Sequence, residues 1–239
     1  MFYFLLPALI SYNFILVAAA VIPAFFLMIR VYKSDRLEKE SPAMLWALVK
    51  AGVFSSLVAL VEERVSVFIL DGFLDETQTA YQVILYFVIV AVAEESSKYL
   101  FLRHRTWKSS EFDCQYDGVV YAVFVSLGFA LWENISYVMT YGFGTAIIRA
   151  LTAIPGHACF GVFMGAFYGI AKKYYNRGQA GASKLFRILA LAVPMLLHGT
   201  YDYIASMDAS SYYFVAFIVV LFLVSYVLVG RTSKNDRYI

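Results

Sequence analysis

Four short groups of ionisable residues lie inside long apolar runs of this chain. They are Glu94-Glu95-Ser96-Ser97-Lys98, Phe129-x-x-x-Glu133-Asn134, Pro155-Gly156-His157 and His198-x-x-x-Asp202. Hydrolysis of a peptide bond needs a base to activate water, a stabiliser for the oxyanion and a proton donor for the leaving amine. Carboxylates, a lysine and two histidines supply those roles. Glu94 and Lys98 stand at i,i+4 on a helix and can pair. Glu95 then points about 100° away, toward another side of the bundle. His198 and Asp202 share a helix face, so the acid can orient the imidazole. Pro155 lacks a backbone donor and can kink its helix beside His157.

Each group also has a plainer explanation. One Glu–Lys ion pair can lock helices together, Glu133 can snorkel to water, and His157 can be a core histidine bonded to a carbonyl. Asn134 reads as an inter-helix hydrogen-bonding residue, and Arg149 as a residue that snorkels to the surface. The cluster Glu62-Glu63-Arg64 lies in the outer third of its run, where an arginine–glutamate pair and snorkelling suffice. Gly161, Gly165 and Gly169 form a small-residue stripe that suits close helix packing.

The elements that must position these residues are membrane helices. Of 239 residues, 62% are hydrophobic and only 15% charged, against about 25% charged in a soluble domain. That excludes a disordered chain, a coiled coil and an ordinary soluble domain. Seven apolar runs approach or exceed the roughly 20 residues that cross a bilayer as helix: 8–29, 45–70, 81–102, 116–139, 146–171, 186–206 and 212–230. The reading is therefore all-α, one polytopic transmembrane helical domain over residues 1–239. The first run has no Lys or Arg before Arg30, so it reads as a retained helix rather than a signal peptide.

Lysines and arginines set the expected orientation. They gather in 30–44, 103–115, the connection after the fifth run and the C-terminal tail, and are missing from the N-terminus and from 71–80, 140–145 and 207–211. The positive-inside rule then places the N-terminus outside and the C-terminus in the cytoplasm. Trp46 and Trp107 fall near inner ends, as interfacial aromatics do. At 1.5 Å per residue, the ionisable groups of the third to sixth runs lie about 6–20 Å below their outer ends. Cys114 and Cys159 allow at most one bridge, and no basic face or motif for nucleic acid is present.

Taken together, Glu94-Glu95-x-x-Lys98, Phe129-x-x-x-Glu133 and His198-x-x-x-Asp202 resemble, in order and on separate helices, the PrsW family of bacterial intramembrane proteases. The resemblance runs from about residue 20 to 205 and takes in Pro155-Gly156-His157. The stretch Tyr32 to Pro42 is similar to that family's acidic first cytoplasmic loop, with Ser41 separating Glu40 from Pro42. The wider group containing type II CAAX prenyl endopeptidases has an Arg near Lys98 and a His where Glu133 stands. The resemblance implies a multi-pass protein of the bacterial cell membrane. It also implies site-1 cleavage of a single-pass anti-sigma factor near its extracytoplasmic boundary, which would start a stress response.

Two mechanisms suit those residues. In a glutamic mechanism Glu94 or Glu95 is the general base, Glu133 shares the water or holds a proton, and His198 with Asp202 stabilises the oxyanion or donates a proton. In a metal mechanism His157, His198 and one Glu bind zinc and another Glu activates water. The sequence has no HExxH, and no helix carries two histidines at ligand spacing, so the metal-free mechanism is preferred with zinc as the alternative. A cation- or proton-coupled transporter, or a non-enzymatic membrane scaffold, would also bury such groups. No internal repeat supports the transporter.

Overall fold

A computed structural model describes residues 2–207 and 211–239, with side chains described for 13–207 and 212–239. Helices account for almost all of it: α1 Phe2–Ser34, α2 Pro42–Asp71, α3 Thr79–Val83, α4 Ala91–Thr106, α5 Asp117–Tyr141, α6 Phe143–Leu151, α7 Ala153–Asn176, α8 Ala180–Ala205 and α9 Ser211–Lys234. A π-helical stretch, Ile84–Val90, joins α3 to α4. Among the described residues, six helical segments are long and apolar enough to cross a membrane: Asn13–Ser34, Pro42–Asp71, Asp117–Tyr141, Phe143–Asn176, Ala180–Ala205 and Tyr212–Lys234. The expected run 81–102 is also one continuous helical path, from Thr79 through the π stretch to Thr106. Its charged residues leave it less apolar than the other six.

Local signals explain several boundaries. Ser41 caps α2, its hydroxyl accepting from Met44 N at 3.1 Å, and Pro42 takes the first turn, where a missing donor costs nothing. Gly142, at φ 83, makes the turn from α5 to α6 in a conformation that L side chains rarely adopt. The run expected as one helix over 146–171 is two, because the backbone breaks at Thr152. Pro155 therefore lies in the first turn of α7 and does not kink a helix interior.

α5 is the central helix, buried along most of its length. Glycines allow its neighbours to approach. A Cβ on Gly52 of α2 would lie 2.1 Å from Val125 O, and one on Gly165 of α7 would lie 2.3 Å from Gly118 O. The stripe Gly161, Gly165 and Gly169 is thus a helix-crossing face against α5. The outward sides carry exposed Phe26, Phe54, Phe68, Val220 and Tyr226, as lipid-facing surface requires. Trp46 is exposed, but Trp107 is buried against Phe112, Tyr168 and Tyr175, so it is a core residue rather than an interfacial one. Both cysteines are free and buried.

Candidate active site

α4, α5, α7 and α8 bring Glu94, Glu95, Lys98, Glu133, His157, His198 and Asp202 into one connected polar cluster. Lys98 is its hub. Its fully buried ammonium donates to Glu94 Oε2 at 3.0 Å, Glu95 Oε1 at 2.8 Å and His157 Nδ1 at 3.1 Å, and lies 4.0 Å from the centre of the Phe129 ring. The i,i+4 pair expected from the sequence is present, and Glu95 is not left over. At i,i+3 it reaches the same ammonium from the other side.

Lys98 also fixes the tautomer of His157. An ammonium has no acceptor, so Nδ1 must accept and Nε2–H donates to Glu133 Oε2 at 2.8 Å. Arg149 Nη2 approaches the same carboxylate oxygen at 3.0 Å, and its Nε donates to Asn134 Oδ1 at 2.8 Å. Asn134 in turn donates to Ala20 O at 2.8 Å, which ties this edge of the site to α1. Glu133 is therefore a held group and not one that reaches freely for water. Arg149 turns inward, because α6 delivers it from the far side of the Gly142 turn.

His198 sits between two acids, with Nδ1 2.9 Å from Glu95 Oε1 and Nε2 3.3 Å from Asp202 Oδ2. Each contact needs a proton between nitrogen and oxygen, so the row Asp202–His198–Glu95 carries one proton more than a neutral imidazole between two carboxylates. Phe160 stacks on the His198 ring at 4.8 Å. The π stretch supports the same place from the side: Phe87 packs so close to Gly199 that an added Cβ would lie 2.5 Å from its ring. π-helical insertions of this kind are common beside functional residues.

The cluster borders a cavity of about 770 Å³. Glu94, Glu133, His157, His198 and Asp202 line it, whereas Glu95 and Lys98 sit behind that wall. Glu63 and Arg64 of α2 also line it, as does Arg149. Arg64 forms no ion pair among the described residues, and Glu62 accepts from Ser97 Oγ at 3.5 Å. Sequence reasoning set Glu63 and Arg149 aside as groups near the surface. The signal that could have found them is their helix register, since both must turn to the bundle side.

Ligand atoms of Glu94, Glu95 and His157 lie within 4.8 Å of one another and all three residues are buried. With His198, they make a donor set of carboxylates and imidazoles that suits zinc. Glu95 Oε2 is buried without a hydrogen-bond partner, a further donor in reach.

An all-helical bundle of membrane-length helices with such a cluster on a cavity fits the class of polytopic membrane hydrolases. The chain belongs to the PrsW family of intramembrane metalloproteases, whose family model matches residues 40–229. It is similar to Protease PrsW of Oceanobacillus iheyensis, 30% identical over 92% of this chain and 97% of the relative. Protease PrsW of Bacillus subtilis is 32% identical over 87% of this chain and 91% of the relative. No solved structure matches. Six apolar helices and this membership make it a multi-pass membrane protein of bacteria.

Proposed function

We propose that this chain is an endopeptidase that cleaves a single-pass membrane protein near the extracytoplasmic side of the bilayer, and that its substrate is an anti-sigma factor. The observation that carries the reading is the convergence of Glu94, His157, His198, Asp202 and the arginine-paired Glu133 on one cavity, with Glu95 directly behind its wall on His198. The names of the relatives support proteolysis. The lysine and arginine asymmetry supports an outward opening, with the N-terminus outside and the C-terminus in the cytoplasm.

In the proposed reaction a water in the cavity attacks the scissile carbonyl carbon. Glu94, which faces the cavity, takes the proton of that water. The oxyanion forms beside His157, whose Nε2–H bonds Glu133, and beside the Arg149 guanidinium, whose Nη2 lies 3.0 Å from the same carboxylate. The row Asp202–His198–Glu95 then delivers its extra proton to the amide nitrogen, the C–N bond breaks, a carboxylic acid and an amine leave, and the proton held by Glu94 passes to His198 to restore the row. Glu95 and Lys98 act from behind, holding His198 and His157 in place.

The same donors fit a metal. Glu94, Glu95, His157 and His198 would hold zinc, which would supply Lewis-acid polarisation of water or carbonyl. The family description favours that reading. The position of the Lys98 ammonium, 2.8–3.1 Å from Glu95, Glu94 and His157, favours the metal-free one, because the chain's own cation already occupies the space between these donors.

Cleavage of a single-span reporter in proteoliposomes, by wild type and by Glu95→Gln, each with and without chelator, tests both parts. Cleavage that is lost in Glu95→Gln and kept in chelator supports the glutamic mechanism. Cleavage lost in chelator and restored by zinc supports the metal mechanism. A folded wild type that cuts no anti-sigma-like reporter, with or without zinc, overturns the proposed activity and leaves the transporter or scaffold.

A further inference from the structure

The cavity beside the cluster extends past the groups that the proposed reaction uses. Its lining follows α5 from Phe129 to Tyr141, about 18 Å of helix. An extended peptide rises about 3.3 Å per residue, so that length takes roughly five residues of an unwound substrate. Glu94, Glu133, His157, His198 and Asp202 account for one end. The rest is walled by Ser136, Tyr137 and Thr140 of α5 and by Glu63 and Arg64 of α2, and no step of the hydrolysis involves them.

Most of these groups already have partners. Ser136 and Thr140 donate their hydroxyls to the carbonyls of Trp132 and Ser136, and the Tyr137 ring lies 4.1 Å from the Arg149 guanidinium carbon. Arg149 itself meets Glu133 Oε2 at 3.0 Å, and Lys98 sits behind the wall on Glu94, Glu95 and His157. Glu63 and Arg64 are different. Neither is in an ion pair among the described residues, and helix neighbours point about 100° apart, so they do not pair with each other. Arg64 is exposed and lines the cavity, and it is the one uncommitted cation on that wall among the described residues. A guanidinium offers only donors, in a fork that matches both oxygens of a carboxylate. The reaction end has the opposite character: Glu94, Glu133 and Asp202 line it, with Glu63 one residue deeper than Arg64 on α2, and a negative side chain placed there is repelled.

The two helices give Arg64 a distance from the chemistry. α2 and α5 cross most closely at Gly52 and Gly128, where added Cβ atoms would lie 2.1 Å from Val125 O and 2.4 Å from Val49 O. One spanning path separates them in the chain, so both run the same way from that crossing. Glu133 lies about 8 Å from it along α5, and Arg64 about 18 Å along α2. The difference of about 10 Å is roughly three residues of extended peptide. We infer that Arg64 marks a substrate subsite, which takes an aspartate or glutamate side chain roughly three residues from the scissile bond, on the side facing away from the Gly52–Gly128 crossing. This subsite, which rests on the proteolytic reading, names the chemistry by which a substrate is chosen. Pairing at Arg64 and repulsion at the reaction end together hold an acidic segment in one register.

The test is a set of single-span reporter peptides, identical except that one residue, aspartate, asparagine or lysine, is moved through the positions on each side of the scissile bond. Wild type in proteoliposomes should cleave best with aspartate about three positions out on one side. The gain over asparagine there should be about three- to tenfold in kcat/KM, falling on KM. Aspartate next to the bond should slow cleavage. Arg64→Gln should abolish the preference, and Arg64→Glu should reverse it toward lysine, which an arginine that merely reaches for the interface would not do. The same peptides, dye-labelled, are titrated against Glu94→Gln in detergent, with and without Arg64→Glu, so that binding is read where nothing is cut. Cleavage by wild type that is equal for aspartate and asparagine at every position overturns the subsite and leaves the protease. A preference that survives in Arg64→Glu also overturns it. Binding that favours aspartate through Arg64, with no cleavage by wild type, keeps the subsite and overturns the proteolytic reading. Peptides that are neither bound nor cut overturn both.

Discussion

Lys98→Met is the perturbation that most directly tests the centre of the bundle. The substitution keeps an apolar stem of similar length and removes one charge. In the wild type that charge is fully buried and touches Glu94 at 3.0 Å, Glu95 at 2.8 Å and His157 at 3.1 Å. Its loss leaves two buried carboxylates facing each other, with only His198 Nδ1 near both, at 2.9 Å and 3.9 Å. Breaking a buried ion pair from one side costs about 3–5 kcal/mol, chiefly for the stranded partner. At roughly 2–4 °C per kcal/mol for a chain of this size, the thermal midpoint should fall by about 6–20 °C. The stranded partners are the cause, so removing their charge should reverse most of the fall. The triple variant Lys98→Met, Glu94→Gln, Glu95→Gln should therefore return to within about 1–2 kcal/mol of wild type while hydrolysing nothing. The assay is thermal unfolding in detergent followed by tryptophan fluorescence, paired with reporter cleavage. A Lys98→Met variant as stable as wild type, or a triple variant no more stable than the single, would refute the reasoning.

Two further outcomes follow from geometry elsewhere. Gly165→Ala should destabilise by about 1–3 kcal/mol, because its Cβ would meet the backbone of α5 at 2.3 Å and the helices must part. Gly230→Ala, with nothing within 4 Å of the added carbon, should instead stabilise α9 by about 0.4–1 kcal/mol; equal effects in a thermal melt would deny that the crossing is tight. In the connection between α1 and α2, burial raises Asp35 to about 6 and Glu40 to about 7, above their usual 3.8 and 4.5. The folded state then holds more protons than the unfolded one between about pH 4 and 7, so stability should fall as pH rises through that window. Asp35→Asn should flatten the profile, and an unfolding midpoint that rises over the same window would contradict the burial of these acids.

Much of the architecture was legible in the residue order, because lipid imposes a severe local rule. A run of about 20 apolar residues must be helix, since no water is there to satisfy its backbone. The apolar runs of α1, α2, α5, α8 and α9 follow from that rule alone. So did the glycine stripe of α7 and the sharing of one helix face by His198 and Asp202, which need only the helical period. Tertiary structure decided what the period cannot carry. The π stretch over Ile84–Val90 and the break at Thr152 arise where neighbouring helices, not local sequence, determine the backbone. The inward turn of Arg149 depends on where α6 lands, and the burial of Trp107 on Tyr168 and Tyr175 arriving beside it. Above all, Lys98 reads in the sequence as the partner of one glutamate. Only when α7 and α8 close on α4 does its single charge hold two glutamates and a histidine, because a fully buried donor is shared among all the acceptors that the fold brings within reach.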